Sequence, residues 1–137
     1  MKNVILAVLV VALIACAGWQ AMRFTRNQFD TKVARFNADA ETLIQGLQQY
    51  KEFVGTYPAG NNVDIVKSLL GQTDKKVLIL AVRKSDINSK GEVVDPWGTP
   101  LKFYISGDSL LIRSAGPNKA WEDSTIATSD DLYRSNN

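Results

Sequence analysis

"GEVVDPWGTPLKFYISGDSLLIRSAGPN", residues 91–118, decides how the rest of the chain is read. Within it, Leu101-Lys102-Phe103-Tyr104-Ile105 and Leu110-Leu111-Ile112-Arg113 flank Ser106-Gly107-Asp108-Ser109. A central Gly-Asp suits a primed two-residue turn, so the stretch predicts a β-hairpin. That register sets Ile105 opposite Leu110 and Phe103 opposite Ile112 on one face, with Tyr104 opposite Leu111 on the other. It also sets Lys102 opposite Arg113, an unfavourable pair unless both point into solvent or the turn is one residue longer. Just ahead stands Asp95-Pro96-Trp97-Gly98-Thr99-Pro100. The prolines fix φ and restrict their neighbours, which makes a stiff corner feeding the hairpin. Pro96, Trp97 and Gly98 are read as structural. Gly98 lets the chain turn beside the indole. Trp97 is expected to plug the edge of the sheet or the long helix, burying ~200 Å².

Downstream the apolar alternation stops at Ser114. Ser114-Ala115-Gly116-Pro117-Asn118-Lys119 is turn chemistry. Trp121-Glu122-Asp123 and Ser129-Asp130-Asp131-Leu132 follow in a predicted loop of about 18 residues, a length that is uncommon unless something organises it.

Upstream lies a helix signal. Phe29, Val33, Phe36, Ala40, Leu43, Leu47, Tyr50 and Val54 recur at alternating spacings of four and three. That stripe predicts an amphipathic helix, widened by Ile44 and Phe53. Gly55 is its natural stop, and Pro58 prevents resumption. Such a stripe needs a cover. A coiled-coil dimer would supply one, but residues 63–112 carry apolar faces that also need a partner, so the chain is expected to fold on its own helix. Between helix and hairpin, Asn62 is read as the cap of a short helix from Val63 to Leu70. Val77 to Val82 is read as a buried strand, with a helix not excluded, and Ser85 to Lys90 as polar loop.

At the amino terminus, Val4 to Gly18 is an unbroken apolar run of fifteen residues, which Trp19, Ala21 and Met22 extend. The run approaches the ~20 residues of a membrane-spanning helix. Three readings apply to residues 1–22. One is a secretory signal peptide. Another is a lipobox, Leu13-Ile14-Ala15-Cys16, with Cys16 lipidated. The third is an uncleaved signal anchor. The helical pattern runs directly through Trp19, Met22 and Phe24 into the next segment, which favours the anchor, with Trp19 at the bilayer interface. Arg23, Arg26, Lys32 and Arg35 follow the run while only Lys2 and the amino terminus precede it; charge bias alone would leave the remainder in the cytoplasm. Three segments result: 1–22 as a transmembrane anchor or lipoprotein signal, 23–55 as an amphipathic helix continuing it, and 56–137 as a globular head ending in the loop. The fold class is α+β, a long helix packed on a small antiparallel sheet.

Composition removes several functions. The 137 residues carry a formal net charge of +2, too balanced for a nucleic-acid binder. Arg23/Arg26/Lys32/Arg35 and Lys75/Lys76/Arg83/Lys84 are the candidate basic clusters, and solvated faces suffice to explain both. There is no histidine, which removes the commonest general base and transition-metal ligand. The single cysteine, Cys16, permits no internal disulfide. Glu122/Asp123 and Asp130/Asp131 are the only carboxylate pairs suggestive of catalysis, and no catalytic residue is assigned.

The order of long helix, short helix, Asp-Pro-Trp-Gly corner, hairpin and acidic loop resembles the major pseudopilin of type II secretion systems, within the type IV pilin-like group. Three stretches carry the resemblance. They are Leu47-Gln48-Gln49-Tyr50-Lys51 with Gly55-Thr56-Tyr57-Pro58, then Asn88 through Pro100, and then Ser114-Ala115-Gly116-Pro117-Asn118 with Asp130-Asp131-Leu132. The resemblance covers about residues 40–134. It implies a pilin-like fold and a non-enzymatic structural subunit in the bacterial inner membrane, single-pass with its head in the periplasm. It implies assembly through the amino-terminal helix with copies of itself or with other secretion-system subunits, as a homo- or hetero-oligomer. It also implies a Ca²⁺ ion organising the last loop, held by side chains of Asn118, Asp130 and Asp131 and by backbone carbonyls near Ala115 and Thr128; oxygen ligands suit that ion. The front departs from the family pattern. No basic leader ending in Gly precedes Phe-Thr-Leu, Phe24-Thr25 follows the apolar run, and the run holds no Glu. The other reading is an anchored lipoprotein module with a pseudopilin-like head that builds no filament.

Overall fold

In a computed structural model of the chain, residues 2–123 and 129–137 are described, with side chains from residue 12 onward. Helix α1 spans Lys2–Val54 and helix α2 spans Asn62–Leu69. Strands β1 (Lys102–Ser106), β2 (Ser109–Ser114) and β3 (Leu132–Ser135) form an antiparallel meander in the order β1-β2-β3. The architecture is the expected α+β. The chain divides into two compact units, Met1–Lys32 and Val33–Asn137.

The first unit is helix. Leu13, Ile14, Trp19, Met22 and Phe24 are all exposed, as is Cys16. The Arg23 guanidinium lies 4.5 Å from the Trp19 ring centroid, a cation–π contact one helical turn apart. Among the described residues no helix is long and apolar enough to cross a membrane. The side chains of Val4 to Val11, on which much of the expected anchor rests, lie outside the described residues.

The second unit is built on the predicted stripe. Phe36, Ala40, Leu43, Ile44, Leu47 and Tyr50 are buried. They meet Ile65, Val66 and Leu69 of α2 and Leu110 and Ile112 of β2 in one core. The alternation on β2 follows from the pleat: Leu110, Ile112 and Ser114 point inward, and Ser109, Leu111 and Arg113 do not. Phe53, expected to widen the stripe, is 73% exposed. It lies past the last buried turn of the helix.

The hairpin takes the predicted register. Ile105 pairs with Leu110, Phe103 with Ile112, Tyr104 with Leu111 and Lys102 with Arg113. The like-charge pair is tolerated because each cation has other company. Lys102 Nζ sits 4.1 Å from the Trp121 centroid, and Arg113 donates to Asp131 Oδ2 at 2.6 Å.

Three sequence readings need correction. The cap of α2 is Asn61, whose Oδ1 accepts from Asp64 N at 3.1 Å while Asp64 Oδ2 accepts from Asn61 N at 3.0 Å, a reciprocal capping box. Asn62 instead reaches across, accepting from Val93 N and donating to the carbonyls of Val93 and Leu101. Val77 to Val82 is no strand; Leu78 makes a single bridge to Leu70. Only Ile79 of that run is fully in the core, and Leu80 is 86% exposed. Lastly, the loop after Ser114 ends in β3, which pairs Ser114 with Leu132 and Leu111 with Ser135.

Candidate metal centre

The acidic loop leaves β2 at Ser114 and returns at Leu132, so its two ends are pinned to each other by backbone pairing. Glu122, Asp130 and Asp131 converge there. One carboxylate oxygen from each lies within 4.8 Å of the others. Glu122 Oε2 accepts from Asp130 N at 2.9 Å. The Asp131 side chain is fully buried against Arg113, and the same guanidinium donates to the Glu122 carbonyl. Arg113 thus ties both sides of the loop together.

Two oxygens in this cluster lack a partner among the described residues. They are Asp130 Oδ1 and Asp131 Oδ1, both buried. A buried acceptor without a partner costs about 1–3 kcal/mol. A cation within reach of either oxygen would satisfy it. Formal charge points the same way: three acids less one guanidinium leave two negative charges, which a divalent ion neutralises. Every donor is a hard oxygen, which suits Mg²⁺, Ca²⁺ or Mn²⁺ over softer metals.

Asp130 and Asp131 are in the cluster. Asn118 lies beside it: its N–H donates to Asp130 Oδ2 at 3.2 Å, and its Oδ1 accepts from Ala120 N at 2.7 Å. Ala115 is buried beside the loop entrance. Thr128 lies outside the described residues. Glu122 joins the two aspartates as a third carboxylate, not assigned as a ligand from the sequence. In the sequence it stands next to Asp123, and nothing in an eight-residue spacing to Asp130 marks it as a ligand.

The Asp-Pro-Trp-Gly corner adjoins this loop through Asp95. This residue is buried at 4% exposure. Its Oδ1 accepts from Trp97 N at 3.0 Å and Thr99 N at 2.9 Å, and its Oδ2 accepts from Ser114 Oγ at 2.6 Å. Gly98 has φ +88, which glycine adopts without strain. Trp97 and Pro96 are half-buried and lie outside the apolar cluster. The buried plug of this corner is the aspartate.

One residue of each basic cluster is held in ion pairs. Arg35 and Arg83, one from each, pair with the same two aspartates. Arg35 reaches Asp86 at 2.7 Å and Asp39 at 3.4 Å; Arg83 reaches Asp86 at 2.7 Å and Asp39 at 2.5 Å. This ring ties α1 to a 3₁₀ turn at Lys84–Asp86. A cavity of about 160 Å³ beside it is lined by Phe36, Leu43, Val93 and Leu101 together with Asp39, Arg83 and Asp86, whose charges are already paired in the ring.

Comparison with protein-family models, with curated proteins and with solved structures finds no match to this chain.

Proposed function

We infer that this chain is a pseudopilin-like structural subunit of a type II secretion or pilus-type assembly. It is anchored in the inner membrane, carries its head in the periplasm and assembles through its amino-terminal helix. The observation that carries the reading is the exposed apolar surface of Leu13, Ile14, Trp19, Met22 and Phe24 on a helix. Exposed side chains of that size, gathered on one helix, fit a surface covered by lipid or neighbouring subunits. The head supplies a second support: a small sheet packed on an amphipathic helix, with an acidic loop clamped between its last two strands. In this reading the loop is a Ca²⁺ site formed by Glu122, Asp130 and Asp131, which would fix the loop for contacts with partners. No step of catalysis is assigned to the chain.

The test is crosslinking in membranes of a Gram-negative host, with a photoreactive residue at Phe24. Adducts between copies, or with other filament subunits, are the expected result. Monomer alone would sink the assembly reading. Fatty-acid label that disappears in Cys16→Ala would replace it with the lipoprotein module.

A further inference from the structure

The geometry points to Asp95 and Ser114 as positioning residues of the acidic loop: through Gly116 they hold Asp130 in place for a bound cation. This rests on the metal reading of the loop given above.

Ser114 Oγ has one hydrogen to donate and lone pairs to accept. It donates to Asp95 Oδ2 at 2.6 Å and accepts from Gly116 N at 3.1 Å. Asp95 and Ser114 are both buried, Ser114 completely, so neither contact can be exchanged for water without cost. Gly116 has φ +66. A Cβ on it would press into the Asp130 backbone and stand 3.0 Å from Asp130 Oδ1. The Gly116 backbone is therefore the wall against which Asp130 rests, and Asp130 Oδ1 is one of the two buried oxygens without a partner among the described residues. Asp95 is itself immobile, because its other oxygen holds two amides of the corner. The relay runs from a rigid corner, through one hydroxyl and one amide, to a candidate ligand. Backbone pairing of Ser114 with Leu132 fixes the loop's ends but not the depth at which Gly116 meets Asp130. The hydroxyl sets that depth.

Outer contacts of this kind change metal affinity by about 10–100-fold. The experiment uses the full chain in mild detergent, titrated with CaCl₂ by calorimetry and with Tb³⁺ by luminescence excited through tryptophan. Trp121 neighbours Glu122 in the chain and supplies the sensitiser. Ser114→Ala is expected to weaken Ca²⁺ binding about tenfold and to shift the Tb³⁺ emission profile. Ser114→Thr, which keeps the hydroxyl, restores both. Ser114→Cys keeps the side-chain shape but weakens both hydrogen bonds; it is expected to give a partial loss and stands in if Ser114→Ala fails to fold. Wild-type affinity in these variants, even with a lowered melting temperature in EGTA, would make the contacts merely structural and overturn the proposal. Absence of Ca²⁺ and Tb³⁺ binding by the wild type would remove the metal reading and the proposal together.

Discussion

A Cβ placed on Gly46 would fall well inside van der Waals contact of the Ala81 Cβ and within 3.2 Å of Ile79 Cγ2. Gly46 is a buried position in α1, so its glycine is there for close approach and not for backbone freedom. In a helix interior glycine costs about 1 kcal/mol relative to alanine. Overpacking costs about 1–3 kcal/mol. The clash is with a Cβ, not the tip of a flexible side chain, so the overpacking term is expected to win. Gly46→Ala should lower the melting temperature by several degrees. Adding Ala81→Gly should restore most of it. A rise in stability for Gly46→Ala alone would show that the segment at residues 77–82 moves aside freely.

The ring of Arg35, Asp39, Arg83 and Asp86 makes a pH prediction. Burial pushes Asp86 upward, but the hydrogen bond and charge of Arg83, with Ser85 and Arg35, hold it below the ordinary aspartate value of 3.8. A depressed carboxyl stabilises the fold above its unfolded value and loses that contribution as pH falls through the folded one. Asp86→Asn should therefore cost about 1 kcal/mol at pH 7, a figure kept small because both arginines are largely exposed. The gap between the two melting temperatures should close below about pH 3.8. A gap that stays constant down to pH 2 would mean that the charge of Asp86 contributes nothing.

Helix α1 and the hairpin were legible because each has a period. The stripe from Phe36 to Tyr50 and the register through Gly107-Asp108 could be counted directly. Strand β3 was not legible, since Leu132-Tyr133-Arg134-Ser135 has one apolar residue facing the core and its pairing is set by β2 rather than by its own pattern. Val77 to Val82 misled for the opposite reason. Its run of apolar residues looks like a buried strand, yet Leu78 and Leu80 face outward with no strand beside them to complete a sheet. At the metal loop, Asp130 and Asp131 stood out as neighbours in sequence. Glu122 joined them only through folding of the loop, aided by Arg113, which no spacing rule predicts.

The corner residues can be separated by substitution. Trp97 is half-buried and outside the core, so Trp97→Ala should cost only about 1 kcal/mol, near the centre of the range for point substitutions. Asp95→Ala strips acceptors from Trp97 N, Thr99 N and Ser114 Oγ at once. Each lost partner costs about 1–3 kcal/mol where water cannot enter. Denaturant midpoints should fall far more for Asp95→Ala than for Trp97→Ala. The reverse order would return the role of plug to the indole.

Calcium should report on the loop through stability. A ligand that binds only the folded state adds about 2.7 kcal/mol at one hundred times its dissociation constant. Calorimetric scans of the wild type should therefore show a higher melting temperature in CaCl₂ than in EGTA, with the rise growing with the logarithm of Ca²⁺ concentration. Asp130→Asn is the informative variant, because Asp131 also anchors Arg113 at 2.6 Å and its loss would disturb the loop with or without metal. Replacing Asp130 removes one formal charge and leaves the Arg113 clamp intact. In EGTA the variant should melt at or slightly above the wild type, since a buried oxygen without a partner is no longer part of a charged group. In CaCl₂ it should lose most of the rise. Equal rises in variant and wild type would place the ion elsewhere on the chain, and no rise in either would leave Arg113 as the cation that organises the loop.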